Sequence, residues 1–170
     1  RTAGFNTADL GAMNDSSKVI MTLMMLIGGS PGSTAGGMKT TTIAVLILNA
    51  FATFGREAET EVFGRRFDNT VVKNAATIAI LYFFLFFTGG IAISQIEHVA
   101  LSDCLFETAS AVGTAGLTLG ITTELGLVSH LILVVLMYLG RVGGLTLIYA
   151  AISVKIQSGA KRPLDKITVG

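Results

Sequence analysis

The feature that most constrains the fold is an uncharged run at residues 74–96, NAATIAILYFFLFFTGGIAISQI. As one helix rising about 1.5 Å per residue, this run would extend roughly 34 Å, which is enough to cross the hydrocarbon core of a bilayer. The composition agrees, because 51% of the chain is hydrophobic and only 14% is charged, whereas charged residues make up about a quarter of soluble proteins. We therefore expect an all-α integral membrane protein.

Two further apolar runs are long enough to cross a bilayer, but each contains an interruption. Residues 125–154 are interrupted by Arg141 and a cluster of glycines, and residues 19–54 by the stretch GGSPGSTAGG at 28–37. The piece 19–27 is too short to cross alone, so it needs the apolar residues beyond the interruption to complete the span. Both runs therefore predict helices that are broken at the membrane midplane.

The charged residues predict how these spans are oriented. The segment 55–73 and the tail beyond residue 154 each carry four lysines and arginines, whereas the segment 97–124 contains four acidic residues and no lysine or arginine. By the positive-inside rule, 55–73 and the tail face the cytoplasm and 97–124 faces outward. This alternation predicts a multi-pass protein in which the chain crosses the membrane three times.

A short helix is predicted at 102–112, SDCLFETASAV, with Ser102 or Asp103 capping its start. This helix is too short to cross the membrane and ends at Gly113. The chain then has to return outward through GTAGLTLG at 113–120. A short helix followed by a returning loop is typical of the pore segment of an ion channel.

An internal repeat relates the two ends of the chain. At an offset of 112 residues, RTAGFNT at 1–7 lies over GTAGLTL at 113–119, and Gly28 lies over Gly140. The match predicts two related units whose second helices are broken at the same depth.

The repeated TAGF and TAGL motifs are candidates for a cation selectivity filter. A dehydrated cation needs oxygens in place of its water, and backbone carbonyls can supply them. Aiming successive carbonyls at one point requires positive φ, which glycine adopts easily. A glycine-containing surface turn is the alternative, and the repeat and the preceding short helix favour the filter. The candidate filter residues are Thr2, Ala3, Gly4, Phe5, Thr114, Ala115, Gly116 and Leu117.

The glycine-rich interruption is a candidate gate below this filter. A nucleotide-binding P-loop fits poorly, because its pattern from Gly32 needs a lysine at position 38, where Met38 stands. A linker outside the membrane would leave the preceding apolar piece unable to cross. Non-helical backbone is tolerated at membrane depth where it lines a water-filled cavity or is buried in protein. The candidate gate residues here are Gly28, Gly29, Ser30, Pro31, Gly32, Ser33, Thr34, Ala35, Gly36 and Gly37.

Two basic residues belong to the same hypothesis. A charge in the middle of an apolar span costs about 2.5 kcal/mol or more, so Arg141 is a functional candidate that would repel or block cations. The alternative is an arginine whose apolar stem is buried and whose charge pairs with a carboxylate. Lys39 follows the glycine-rich stretch and is either part of the gate or a cytoplasmic anchor.

These motifs resemble the Trk/Ktr/HKT superfamily of potassium transporters, and most closely the membrane subunit of the Ktr type. The resemblance is carried by RTAGFNT, GGSPGSTAGGMKTTT, ETASAVGTAGLTLG and GRVGGLTL. It implies helix–pore-loop–helix repeats around one cation pore, with Gly4 and Gly116 in the third and fourth filters. It also implies that an intramembrane gating loop at 28–37 faces Arg141. Homodimers and a cytosolic ring of nucleotide-binding RCK/KTN subunits are further features that the resemblance implies.

The resulting prediction is a potassium uptake protein of the bacterial plasma membrane, not an enzyme, surrounded by lipid and without a nucleic-acid partner. We expect no cofactor; potassium is the transported ion, and sodium is a possible coupling or stimulating ion. The alternatives are another secondary transporter with broken helices and, less favoured, a P-loop enzyme. The predicted divisions are the third-repeat filter and broken helix at 1–54, a cytoplasmic loop at 55–73, the fourth repeat at 74–157 and a cytoplasmic tail at 158–170.

Overall fold

The structure is a computed structural model that describes residues 3–55, 61–62 and 65–143. The regular secondary structure of these residues is helical, as predicted, apart from one antiparallel pair of two-residue strands. The elements in chain order are α1 (Asp15–Leu26), α2 (Thr40–Phe54), β1 (Glu61–Val62), β2 (Arg65–Arg66), α3 (Asn69–Glu97), α4 (Leu101–Val112), a 3₁₀ helix (Ile121–Glu124) and α5 (Leu127–Val142). The predictions for Thr2, for the run beyond residue 143 and for the tail at 158–170 lie outside the described residues.

The uncharged run forms the centre of α3, the one helix among the described residues that is long and apolar enough to cross a membrane. The N-cap residue of α3 is Asp68, whose carboxylate accepts a hydrogen bond from the Thr70 amide at 3.1 Å. That hydrogen bond is the main reason why the pKa of Asp68 lies below its ordinary value. The helices α2 and α5 are also apolar but shorter.

The short predicted helix is α4, which lies at the centre of the fold and packs against α1, α3 and α5. Its residues from Phe106 to Val112 are all buried. The expected capping was wrong, because the helix begins one residue earlier, at Leu101. Ser102 and Asp103 therefore lie in its first turn, and the N-cap residue, Ala100, has no capping side chain.

The helices α1 and α5 start at positions that the internal repeat makes equivalent, since 127 − 15 = 112. Each start is held in a different way. The side chain of Asn14 caps α1 by accepting from the Ser17 amide at 2.8 Å. At the start of α5, the carboxylate of Glu97 in α3 accepts from the Gly126 amide at 2.8 Å and from the Ser129 hydroxyl at 2.5 Å.

The same two helices end four residues apart in the register of the repeat, and α5 ends inside the interruption predicted at 140–144. The helix α1 ends at Leu26, before Gly28, whereas α5 continues through Gly140 to Val142. Gly140 remains helical because it packs closely against α4: a methyl group there would overlap the Val112 carbonyl. Its lack of a side chain therefore permits a close helix contact instead of breaking the helix.

Candidate functional site

The two predicted filter glycines lie side by side in the structure. Gly4 and Gly116 both have positive φ, +65° and +80°, which is the conformation that the filter hypothesis requires. A methyl group on Gly4 would lie 2.9 Å from the Ala115 carbonyl oxygen and 3.5 Å from the Cα of Gly116. The two loops are thus in backbone contact, and an ion would have to lie beside this pair and not between its members.

The other candidate filter residues flank these glycines. Ala3 and Phe5 are exposed, and Ala115 and Leu117 are buried. Thr114 is half-buried and also has positive φ, +50°. The return begins directly at the end of α4, whose last carbonyls accept from the amides of Gly113, Thr114 and Ala115. The negative end of the α4 dipole therefore faces the start of the return.

The glycine-rich interruption forms a closed loop between α1 and α2. Its two ends are joined, because the Gly28 amide donates to the Met38 carbonyl at 2.6 Å and the Met38 amide donates to the Leu26 carbonyl at 3.2 Å. Gly28 and Gly36 lie so close that a methyl group on Gly28 would overlap the Gly36 carbonyl. Buried residues, Gly28, Gly29 and Gly36 to Met38, form the base of the loop.

The exposed tip of the loop is held by Lys39. Its Nζ donates to the carbonyl oxygens of Ala35 at 2.6 Å and Ser33 at 3.2 Å. The tip consists of Ser30, Pro31, Gly32, Ser33 and Thr34. A P-loop follows a strand, whereas this loop follows the helix α1, so the structure contradicts the P-loop alternative.

The base of the loop contacts the start of the filter return and α5. The Gly36 amide donates to the Thr114 hydroxyl at 2.8 Å, and the Gly37 amide donates to the Gly140 carbonyl at 3.3 Å. Gly36 has no space for a side chain, because a methyl group there would lie 2.6 Å from the Thr114 side chain. The structure therefore joins the candidate gate to the candidate filter by a direct hydrogen bond.

Arg141 lies in the last turn of α5 with an exposed side chain. It lines a cavity of about 630 Å³ together with Thr114 and Gly116. The loop contacts the neighbouring residue, Gly140, and among the described residues Arg141 forms no salt bridge with a carboxylate. Arg141 thus lies near the filter return. That its side chain faces the loop at 28–37 stays a prediction.

Glu107 is a site residue that the sequence reasoning missed. It lies on α4 with only 4% of its surface exposed, and its carboxylate accepts hydrogen bonds from the return that follows the filter. Its Oε1 accepts from the Thr118 hydroxyl at 2.6 Å and from the Leu119 amide at 2.9 Å. Its Oε2 accepts from the Thr122 hydroxyl at 2.7 Å. One buried carboxylate therefore holds the return against α4.

The site contains neither a metal-binding cluster nor a disulfide within the part of the chain that the structure describes. No group of three or more His, Cys, Asp or Glu side chains is close enough there to bind a metal ion. The oxygens near Gly4 and Gly116 are backbone carbonyls, the hydroxyls on the cavity wall and the Glu107 carboxylate, which already accepts three hydrogen bonds. Carbonyl and hydroxyl oxygens can replace part of the hydration shell of a monovalent cation.

Comparison with known proteins gives matches over most of the chain. The family model of TrkH, described as cation transport protein, matches residues 1–160. Over 170 residues, the chain is 35% identical to the Ktr system potassium uptake protein B of Bacillus subtilis, covering 100% of this chain and 38% of that protein. Over 176 residues, it is 34% identical to the potassium/sodium uptake protein NtpJ of Enterococcus hirae, covering 100% of this chain and 39% of that protein.

A third relative is the Ktr system potassium uptake protein B of Vibrio alginolyticus, which is 39% identical over 151 residues, 88% of this chain and 33% of that protein. The chain thus spans about two fifths or less of the length of these curated relatives.

Proposed function

The chain belongs to the TrkH family of cation transport proteins, and from this premise we propose that it forms part of a potassium uptake protein in the bacterial plasma membrane. In this proposal the returns around Gly4 and Gly116 contribute two sides of a selectivity filter, and other parts of the protein contribute the remaining sides. Carbonyl oxygens take the place of the ion's water as it enters from outside. The loop at 28–37 lies below the filter and obstructs the pathway when closed.

The observation that carries this proposal is the meeting of Gly4 and Gly116. Two segments that are 112 residues apart in the repeat come into contact, and each presents a glycine with positive φ. Positive φ turns successive carbonyls toward the same side, which is the arrangement a dehydrated cation needs. The end of α4 at Val112 adds a negative helix dipole directly before one of the two glycines.

A secondary transporter with broken helices is the nearer alternative. Such transporters bind substrates between half-helices at the midplane and do not require a pore helix before a returning loop. The buried helix α4, followed by the return that Glu107 holds, favours a pore. Among the relatives, two are named for potassium and one for potassium and sodium, which supports a monovalent cation as the substrate.

The assembly is proposed on the same basis. Two of the relatives are named as components of a Ktr system, which supports a membrane subunit that works with cytosolic regulatory subunits. We assign the RCK/KTN type to these subunits and a homodimer to the membrane part from the resemblance of the motifs. The sodium ion is assigned a coupling or stimulating role.

The test replaces one filter glycine in the full-length protein that contains this chain. Gly116→Ser should lower the preference for potassium over sodium by about tenfold, because serine is strained at a φ of +80° and Gly116 abuts Gly4. Uptake of both ions by vesicles containing the purified protein measures this preference.

Gly120→Ser is the matched control. Gly120 also has positive φ, +100°, and lies on the same return, but a methyl group there would contact nothing within 4 Å. The control imposes the same kind of backbone strain away from the contact with Gly4, so it should keep the preference of the unaltered protein. An unchanged preference in Gly116→Ser, with normal amounts of protein in the vesicles, would contradict the filter.

A further inference from the structure

Tyr82 places a hydroxyl group inside the otherwise apolar centre of α3. Its side chain is 2% exposed, so the hydroxyl has to find a partner within the protein. Its Oη donates to the carbonyl of Gly140 in α5 at 3.2 Å. A tyrosine in the first helix of this unit therefore binds the backbone of its second helix at the level of the glycine-rich loop.

The Gly140 carbonyl also accepts from the loop. The Gly37 amide donates to it at 3.3 Å, so donors from α3 and from the loop meet at one oxygen. A carbonyl oxygen has two lone pairs and can accept both hydrogen bonds. This oxygen is the point at which α3, α5 and the loop are joined.

The surroundings keep this carbonyl in place. A methyl group on Gly140 would overlap the Val112 carbonyl, and one on Gly36 would lie 2.8 Å from the Gly140 oxygen. The backbones of α4, α5 and the loop are therefore packed without space between them. Tyr82, on α3, binds the shared carbonyl with its side chain at 3.2 Å.

We propose that Tyr82 is a positioning residue for the gate. By binding the Gly140 carbonyl, its hydroxyl holds that oxygen where it accepts the Gly37 amide, and it thereby stabilises the closed loop. The inference rests on the proposed function, in which the loop at 28–37 obstructs the pathway. It adds a residue of α3 to a gate that was otherwise assigned to the loop and α5.

The experiment removes only the hydroxyl, with Tyr82→Phe in the full-length protein. The loss of the hydrogen bond to the Gly140 carbonyl should release the loop more often and raise the maximal rate of potassium uptake by about fivefold. The potassium concentration for half-maximal uptake and the preference over sodium should not change, because the filter is not altered. Lower or unchanged uptake in properly inserted protein would overturn the inference.

Tyr138→Phe is the matched control, because Tyr138 lies on α5 with 66% of its surface exposed. It undergoes the same chemical change away from the shared carbonyl and should leave uptake unaltered. Equal increases in Tyr82→Phe and Tyr138→Phe would show a general effect of losing a phenol and would overturn the role of Tyr82.

A protein with a shortened 28–37 loop separates this inference from the function on which it rests. If the shortened loop raises uptake and Tyr82→Phe adds nothing further in that background, both act on the same gate. If the shortened loop raises uptake and Tyr82→Phe alone does not, the role of Tyr82 is wrong and the gate stands. If neither change raises uptake, the proposed gate fails and the inference fails with it.

Hydrogen–deuterium exchange measures the release of the loop without transport. The amides of Gly36, Gly37 and Met38 should exchange several-fold faster in Tyr82→Phe, while the amides of α4 keep their protection. Unchanged exchange at these amides would overturn the inference even if uptake rose.

Discussion

The helices α1 and α5 begin at equivalent positions of the internal repeat and end differently. Gly28 and Gly140 are also equivalent, and neither has space for a methyl group. At Gly28 the obstacle is the carbonyl of Gly36, within the same loop. At Gly140 the obstacle is the carbonyl of Val112, at the end of the helix that precedes the filter return.

This difference shows that a glycine can allow a close backbone contact either within a loop, as at Gly28, or between two helices, as at Gly140. Both glycines let two backbones approach closely at the level below the filter. In the first unit the close approach closes a loop onto itself, and in the second it brings one helix against another. In the proposed function, the loop of the first unit is the part that moves, and the second unit is the support against which it closes.

The largest expected effect on uptake comes from disrupting the close contact between Gly140 of α5 and the Val112 carbonyl of α4. In Gly140→Ala the new methyl would push α5 away from the Val112 carbonyl and displace the start of the filter return. Overpacking of this kind costs about 1–3 kcal/mol or more in a close-packed interior. Potassium uptake by the full-length protein should fall by at least about tenfold, and its thermal unfolding temperature should also fall.

Gly28→Ala tests the other side of the comparison and should change uptake in the opposite direction. Here the methyl would push the Gly36 carbonyl aside and open the loop, and it would also loosen the hydrogen bond from the Gly36 amide to the Thr114 hydroxyl. Uptake should rise several-fold, with at most a small loss of the preference for potassium over sodium. If both substitutions lower uptake equally, the two glycines support one rigid structure, and the distinction between a movable loop and its support is wrong.

The sequence predicts the parts of this comparison that depend on local patterns. The uncharged run predicts α3, the segment 102–112 predicts α4 to within one residue, and the repeat relates Gly4 to Gly116 and Gly28 to Gly140. It also indicates which glycines have positive φ near the ends of the repeat motifs. These features follow from residue type and spacing, so they do not require knowledge of the tertiary contacts.

The end of α5 and the role of Glu107 are not predictable in this way. A glycine within an apolar run can break a helix or permit close packing, and only the position of Val112 decides which applies to Gly140. Glu107 stands in the same acidic segment as the exposed Glu124, and its role depends on the chain returning past it. Buried carboxylates need hydrogen-bond donors, which here come from residues beyond the filter.

A second contrast concerns how the two non-helical segments are held, and it predicts a smaller effect. The loop is held by a cation, Lys39, that donates to carbonyls, and the return is held by an anion, Glu107, that accepts from an amide and two hydroxyls. In Glu107→Ala these donors lose their acceptor, at a cost of about 1–3 kcal/mol for each group that water does not reach. Potassium uptake should fall several-fold, together with the preference over sodium.

Two variants sharpen this measurement. Glu107→Gln keeps one carbonyl oxygen for the Thr118 hydroxyl and the Leu119 amide, so it should retain more of the preference than Glu107→Ala. Glu124→Ala removes an exposed carboxylate from the same outer segment and should have no effect. Equal losses in Glu107→Ala and Glu124→Ala would mean that the outer negative charge, and not the hydrogen bonds, matters for uptake.

The smallest expected effect concerns the starts of α1 and α5, which lie at equivalent positions of the repeat. Asn14 caps α1 with its own side chain, whereas α5 is held by Glu97 from another helix. In Asn14→Ala the Ser17 amide loses its acceptor, which costs about 1 kcal/mol and should speed exchange of the first-turn amides of α1 by about fivefold. Asn14→Ser keeps a capping oxygen and should show little change.

Potassium uptake should stay the same in both variants, because the cap lies at the opposite end of α1 from the loop. A change in uptake that follows the exchange rate would instead mean that the whole of α1, and not the loop alone, moves when the gate opens.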